Sequence, residues 1–133
     1  MAEIKTGRGY VYIIQYHIVR CVKYRRKVLR DRVETDLYEI LYKIADDRNF
    51  TIVELNGETD HVHLLVECTP QHYLPDILKA LKGVSARWLF KRHPELKKSL
   101  WGGHLWKPSY FVATISEQTE EQIRTYIQTQ KEK

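Results

Sequence analysis

Two short strand-forming runs flank an asparagine–glycine pair near the middle of this chain. Phe50 to Leu55 alternates in polarity. Asn56-Gly57 supplies turn chemistry, Glu58, Thr59 and Asp60 extend the loop, and His61 to Glu67 reads HVHLLVE. The pattern predicts a β-hairpin, which commits the chain to a fold containing antiparallel strands. On both sides of it the apolar period changes from two to 3.6. From Val33, apolar residues at Leu37, Ile40, Leu41 and Ile44 mark one helical face to about Asp47. Thr69-Pro70 ends the second run of the hairpin, and Pro75 is suited to opening a helix. Ile77, Leu78, Leu81, Val84, Trp88 and Leu89 then share a face to about Arg92, where Pro94 stops the helix.

The outer segments complete the pattern. Residues 9 to 22, GYVYIIQYHIVRCV, are rich in Val, Ile and Tyr and predict one long strand, followed by a basic turn, KYRRK. Residues 97 to 110 read as a long connection rich in aromatics and glycines, and Tyr110 to Ile115 as a fourth strand. Thr119 with Gln122 three residues on can cap a last helix that runs to Gln130 or the terminus. The order β-α-β-β-α-β-α predicts an α+β fold. Its first six elements form a ferredoxin-like, split βαβ antiparallel sheet with helices on one face, and the C-terminal helix is an addition. No repeat or linker divides the chain, and its 133 residues suit a single domain over 1–133.

Composition narrows the function less. Lys and Arg total 22 against 17 Asp and Glu, a net charge of +5 that favours polyanionic partners without specifying one. Cys21 and Cys68 make no short CxxC site and no disulfide framework, so a reducing interior is the simpler expectation. The first ten residues include Glu3, Lys5 and Arg8 and read as no signal peptide. Apolar runs fall far short of the roughly 20 residues that span a membrane.

Two constellations carry chemistry. His61 and His63 lie two apart in an extended run, so both leave one sheet face, about 6–7 Å apart at the backbone, and can converge on one cation. Asp60 is placed to orient a ring nitrogen. Taken alone, such a pair can equally sit idle on a half-exposed strand. In the last helix, Ile123, Tyr126, Ile127 and Gln130 follow i, i+3, i+4, i+7 spacing, so Tyr126 and Gln130 lie one turn apart on one face. Gln130 offers an amide oxygen to a hard cation. Tyr126 offers a hydroxyl that is a poor nucleophile unless its ionisation is assisted. The alternative is that Tyr126, one of nine tyrosines, merely packs the helix.

Several blocks, in order, resemble the single-tyrosine transposases of the IS200/IS605 insertion-sequence family, within the HUH endonuclease group. They are YHIVRCVKYRRKVL (16–29), DHVHLLV (60–66), LKGVSARWLFKRHPELK (81–97), LWGGHLWKPSYFVATI (100–115) and YIQTQ (126–130). The resemblance implies His61, His63 and Gln130 as ligands of Mg²⁺ or Mn²⁺, and Tyr126 as the nucleophile. It implies cutting and rejoining of single-stranded DNA at hairpin-bearing ends through a 5′-phosphotyrosine. It also implies a homodimer whose active sites are in some relatives shared between subunits, in the cytoplasm of a prokaryotic cell. Only Lys131, Glu132 and Lys133 follow Gln130, fewer than in many relatives, so the last helix is expected to be thinly anchored.

Candidate phosphate contacts are Lys23, Arg25, Arg26 and Lys27 after the first strand, with Lys79, Lys82, Arg87, Lys91 and Arg92 on the second main helix. Trp101, His104 and Trp106 are candidates for base stacking, with packing favoured for Trp106. His17, on the first strand, is open between a structural role, a DNA contact and chemistry. The competing readings are an HUH-type replication-initiator nickase, a two-histidine phosphoesterase of RNA ends, for which the paired His-x-Ser/Thr motifs are missing, and a non-catalytic nucleic-acid-binding module.

Overall fold

The computed structural model describes residues 5–7, 10–12, 14–114 and 119–130, with side chains for 14–100, 102–114 and 124–129. Strands are β1 (Lys5–Gly7), β2 (Tyr10–Tyr12), β3 (Gln15–Cys21), β4 (Thr51–Glu58), β5 (His61–Glu67) and β6 (Phe111–Thr114). Helices are α1 (Asp31–Asp47), α2 (Leu74–Arg92) and α3 (Thr119–Gln130). The main sheet has the order β4-β5-β3-β6, every neighbouring pair antiparallel, which is the expected split βαβ arrangement.

The long first strand expected over 9–22 is divided. β2 pairs with β1 in a separate two-stranded sheet, and β3 enters the main sheet from Gln15. Ile115, expected to end the fourth strand, and the tail after Gln130 lie outside the described residues.

The hairpin is formed, but its turn falls later than Asn56-Gly57. Those two residues are paired within β4, opposite His63 and Val62, and Thr59-Asp60 make the turn. Gly57 answers a packing need instead: a Cβ there would stand 2.5 Å from the hydroxyl of Tyr38 on α1. A β-bulge between Ile52 and Glu54 resets the alternation, so that Ile52 pairs with Val66 and Leu55 with Leu64 on the core face, while Val53 is left exposed.

The helices start and stop for local reasons. α1 ends in a Schellman motif: Asn49 takes φ 61°, its N–H reaches the Asp46 carbonyl at 3.4 Å, and the Phe50 N–H reaches that of Ala45 at 3.1 Å. The cap leads directly into β4. α2 begins with proline in its first turn and ends at His93, ahead of Pro94.

α1 and α2 cover one sheet face. Ile18, Leu37, Leu41, Leu64, Val66, Ile77, Leu81 and Leu89 make the core there with the other buried apolar residues. The connection from 94 to 110 belongs to the core as well. Leu100, Leu105 and Trp106 are buried, and the Trp106 indole donates to Ser85 on α2 at 2.9 Å. Gly102 and Gly103 both take positive φ (77° and 70°), a conformation that favours glycine and that shapes this turn. α3 packs on the other sheet face, where Tyr126 and Ile127 meet Val19, Cys21 and Phe111.

Candidate active site

Strand pairing decides which residues share a face. His61 pairs with Cys21 and His63 with Val19, so both histidines stand on the face that carries Val19 and Cys21. Val62 and Leu64 point the other way into the helix-covered core. α3 rests on those same two β3 residues. The terminal helix and the histidine strand are thus brought to one face of one sheet within a single chain.

His61 is 9 % exposed, and its Nδ1 lies 2.9 Å from Asp60 Oδ1. An ionised carboxylate only accepts hydrogen bonds, so Nδ1 is the donor and, of the two neutral tautomers, the one with its lone pair on Nε2 fits this contact. Burial works against ionisation of Asp60, but hydrogen bonds from His61 and Arg25 outweigh it and hold the carboxyl below its usual range. His63 is half-buried. Its Nε2 sits 2.9 Å from His17 Nδ1, and the two rings stack at 5.1 Å. Burial, with His17 alongside, pushes the His63 imidazole below its ordinary pKa and so favours the neutral form that ligates metals. Ligation through Nε2 would exchange the bond to His17, whereas Nδ1 lies outside that bond.

Tyr126 is half-buried with its ring 5.6 Å from that of Phe111 and its hydroxyl 3.5 Å from Ser109 Oγ. Burial raises the phenol above its ordinary pKa, and the Ser109 bond and the charges of Arg20 and Arg25 only partly oppose it. Unaided, Tyr126 is therefore protonated at neutral pH.

Among the described residues, no group of three or more His, Cys, Asp or Glu could hold a metal. The donors brought together are two imidazoles, one of them oriented by a carboxylate, a set that suits a divalent cation completed by oxygen donors. Gln130 lies in α3 one turn beyond Tyr126, and its side chain is outside the described residues.

The other sequence candidates divide. Arg26, Lys27, Lys79, Arg87 and Lys91 are exposed, His104 likewise, and Lys23 and Lys82 are partly so. Lys79, Arg87 and Arg48 line one open groove along α2. Lys91 stands over the exposed Trp88 ring at 5.0 Å, and Arg92 is held by Asp36 and Glu39. Arg25 departs from the expected surface position. Its side chain is 7 % exposed because it is drawn in by Asp60 and by the Ile127 carbonyl. Trp106 is 2 % exposed, as packing required, and the Trp101 side chain is outside the described residues.

Sequence reasoning missed the contact of His17 with His63, the Ser109 hydroxyl against Tyr126, and Arg20. Arg20 is buried, stacks on Tyr110 at 4.6 Å and donates to the Lys107 carbonyl at 3.3 Å. A charged residue set between the apolar Val19 and Cys21 of β3 was the available signal for it.

Comparison with known proteins follows the same lines. The family model described as "Transposase IS200 like" matches residues 10–130. The ISDra2 transposase TnpA of Deinococcus radiodurans is 50 % identical over 131 residues, covering 98 % of this chain and 94 % of that protein. A crystal structure of a transposase candidate from Deinococcus radiodurans R1 superposes with a TM-score of 0.89 at 51 % identity, covering 95 % of this chain and 97 % of that one. A REP-associated tyrosine transposase bound to a REP hairpin shares the fold, with a TM-score of 0.58 at 16 % identity over 93 % of this chain and 68 % of that one. With its histidine strand and tyrosine helix on one sheet face, the chain belongs to the IS200-like single-tyrosine transposases of the HUH type, enzymes that cut and rejoin single-stranded DNA through a tyrosine.

Proposed function

We propose that Tyr126 is the nucleophile of this transposase and that His61 and His63, with Gln130, hold its divalent cation, Mg²⁺ or Mn²⁺. The observation that carries the reading is the seating of α3 on Val19 and Cys21, the residues paired with His63 and His61. When bound, the cation would withdraw charge from a phosphoryl oxygen and lower the cost of ionising a nearby hydroxyl. That help matters here because burial pushes Tyr126 the other way.

The chain's own part is positional. Ser109 and Phe111 steady the phenol, and Asp60 keeps the Nε2 lone pair of His61 available. The Tyr126 oxygen attacks phosphorus in line, the bond to the 3′-oxygen breaks, and the DNA leaves a free 3′-hydroxyl with its 5′-phosphate on tyrosine. An incoming 3′-hydroxyl reverses these steps, reforms the phosphodiester and releases the phenol. The bond energy is retained throughout, so no nucleotide cofactor is needed.

The DNA is read as hairpin-bearing single strands, a reading supported by the family and by the hairpin in the name of the REP-associated relative. Lys79 and Arg87 beside Arg48, together with Arg26 and Lys27, are the exposed cations suited to its phosphates. The working unit is read as a homodimer. α3 rests on the sheet face that carries Val19 and Cys21, a seating that either its own subunit or, by exchange of the helix, a partner subunit can supply. Among the described residues no helix is long and apolar enough to cross a membrane.

Incubation with labelled single-stranded hairpin DNA and Mn²⁺ is expected to give a protein–DNA adduct that survives denaturant and is lost with EDTA. Tyr126→Phe is expected to give none; the same adduct from that variant refutes the assignment. Mixing Tyr126→Phe with His63→Ala protein tests sharing, since rescued cleavage requires composite sites.

A further inference from the structure

The basic turn after β3 contains an arginine that faces inward. Tyr24 and Arg25 both take positive φ, 59° and 52°, a region that non-glycine residues rarely adopt. The result is that Tyr24 is turned outward, 55 % exposed, while the Arg25 guanidinium is buried. The turn is laid against the β4–β5 hairpin by backbone bonds from Val22 N–H to the Asp60 carbonyl and from Leu29 N–H to that of Thr59, each 2.9 Å.

The guanidinium then faces two elements at once. Its Nε donates to Asp60 Oδ2 at 3.0 Å, and one terminal nitrogen lies 2.9 Å from the same oxygen. The other terminal nitrogen donates to the Ile127 carbonyl at 3.0 Å. Ile127 follows Tyr126 directly and lies in the last turn of α3. A cation at that end is also favoured by the helix dipole. On the far side, the second oxygen of Asp60 is bonded to His61 Nδ1. One unbroken series of polar contacts thus joins the tyrosine helix to the histidine strand.

We propose that Arg25 is a positioning residue that couples the orientation of His61 to the docking of the Tyr126 helix, so that loosening either end loosens the other. The coupling deepens the function proposed above and rests on His61 as a metal ligand. Arg25 touches no reacting atom. It acts because a planar guanidinium can hold a carboxylate and a carbonyl in fixed directions, which a single ammonium point charge cannot. Without Asp60 the guanidinium loses the partner that aims it at Ile127. Without Arg25 the carboxylate loses one of the two partners that fix it against His61.

Two measurements on the full chain test the coupling. In metal-free protein, Asp60→Asn is expected to speed amide exchange in α3 while α1 amides keep wild-type protection. Among the described hydrogen bonds of Asp60, to His61, Arg25 and Val22, the one to Arg25 is continued by a further hydrogen bond to α3. In calorimetric titration with Mn²⁺ alone, Arg25→Gln is expected to weaken binding about 10–100-fold, as loss of a ligand-orienting partner does. Arg25→Lys is expected to fail on both readouts. Wild-type α3 exchange in Asp60→Asn, or Mn²⁺ affinity within about twofold of wild type in Arg25→Gln, overturns the proposal. If Arg25→Gln does not fold, Asp60→Asn decides alone. A His61→Ala protein that binds Mn²⁺ as wild type does would remove the metal-ligand reading, while the metal-free exchange still judges the link between Asp60 and α3.

Discussion

Tyr126 and His63 are shifted in directions that suit opposite needs. Burial keeps the phenol protonated until something assists it, and it keeps the imidazole neutral and ready to ligate. The same burial argument applies to residues with no chemical part. Gly57 admits the Tyr38 hydroxyl to within 2.5 Å of where a Cβ would stand, and the next nearest atom, Tyr38 Cζ, is at an ordinary 3.4 Å. Gly57→Ala is therefore expected to cost about 1–3 kcal/mol in denaturant unfolding, the range of an overpacked core. Adding Tyr38→Phe should recover much of that loss, because it deletes the clashing atom; equal losses in single and double variants would show that the hydroxyl is not the cause. Asn56-Gly57 read as a turn because that pair is the usual turn signal. Its real constraint came from a tyrosine on another element, which no local rule contains.

α3 carries the proposed nucleophile, and the described contacts that hold it are few. Two apolar side chains, one tyrosine hydroxyl and the Arg25 bond to Ile127 attach it among the described contacts, against the many buried leucines and isoleucines that join α1 and α2 to the sheet. Elements with few buried contacts open locally at lower cost than the whole fold. The two cysteines report this difference. Cys21 lies under α3, while Cys68 belongs to the main core, and burial, with Glu67 nearby, pushes its thiol up to about 11. Burial raises Cys21 as well. Both thiols are expected to resist alkylation in native protein near pH 8, with Cys21 reacting first as α3 lifts. Cys68 reacting at the same rate or sooner would mean that α3 does not open separately. An arginine from the distant basic turn holds the last turn of the helix. That contact was illegible because it spans 102 positions and depends on two unusual backbone angles.

Across the whole molecule, the sheet separates the helix-covered core from the proposed catalytic residues. One face is sealed by α1 and α2, and the other collects the histidines, the tyrosine and their polar partners. The exposed Lys79 and Arg87 are among the proposed phosphate contacts. DNA affinity is expected to fall with salt, by a slope of about 0.7 per phosphate contact for single strands, and Lys79→Ala with Arg87→Ala should flatten that slope. A salt slope unchanged in the double variant would move the DNA elsewhere.

Periodicity and turn residues alone determined the element order, the antiparallel hairpin, the common face of His61 and His63 and the placing of Tyr126 and Gln130 one turn apart. These are local properties, fixed by 3.6 residues per helical turn and two per strand repeat. Tertiary structure decided which face α3 would cover, which nitrogen of His61 would stay free, that His17 would meet His63, and that Arg25 would turn inward. Each of these depends on side chains from elements far apart in the sequence, and on the balance of burial against hydrogen bonding where they meet.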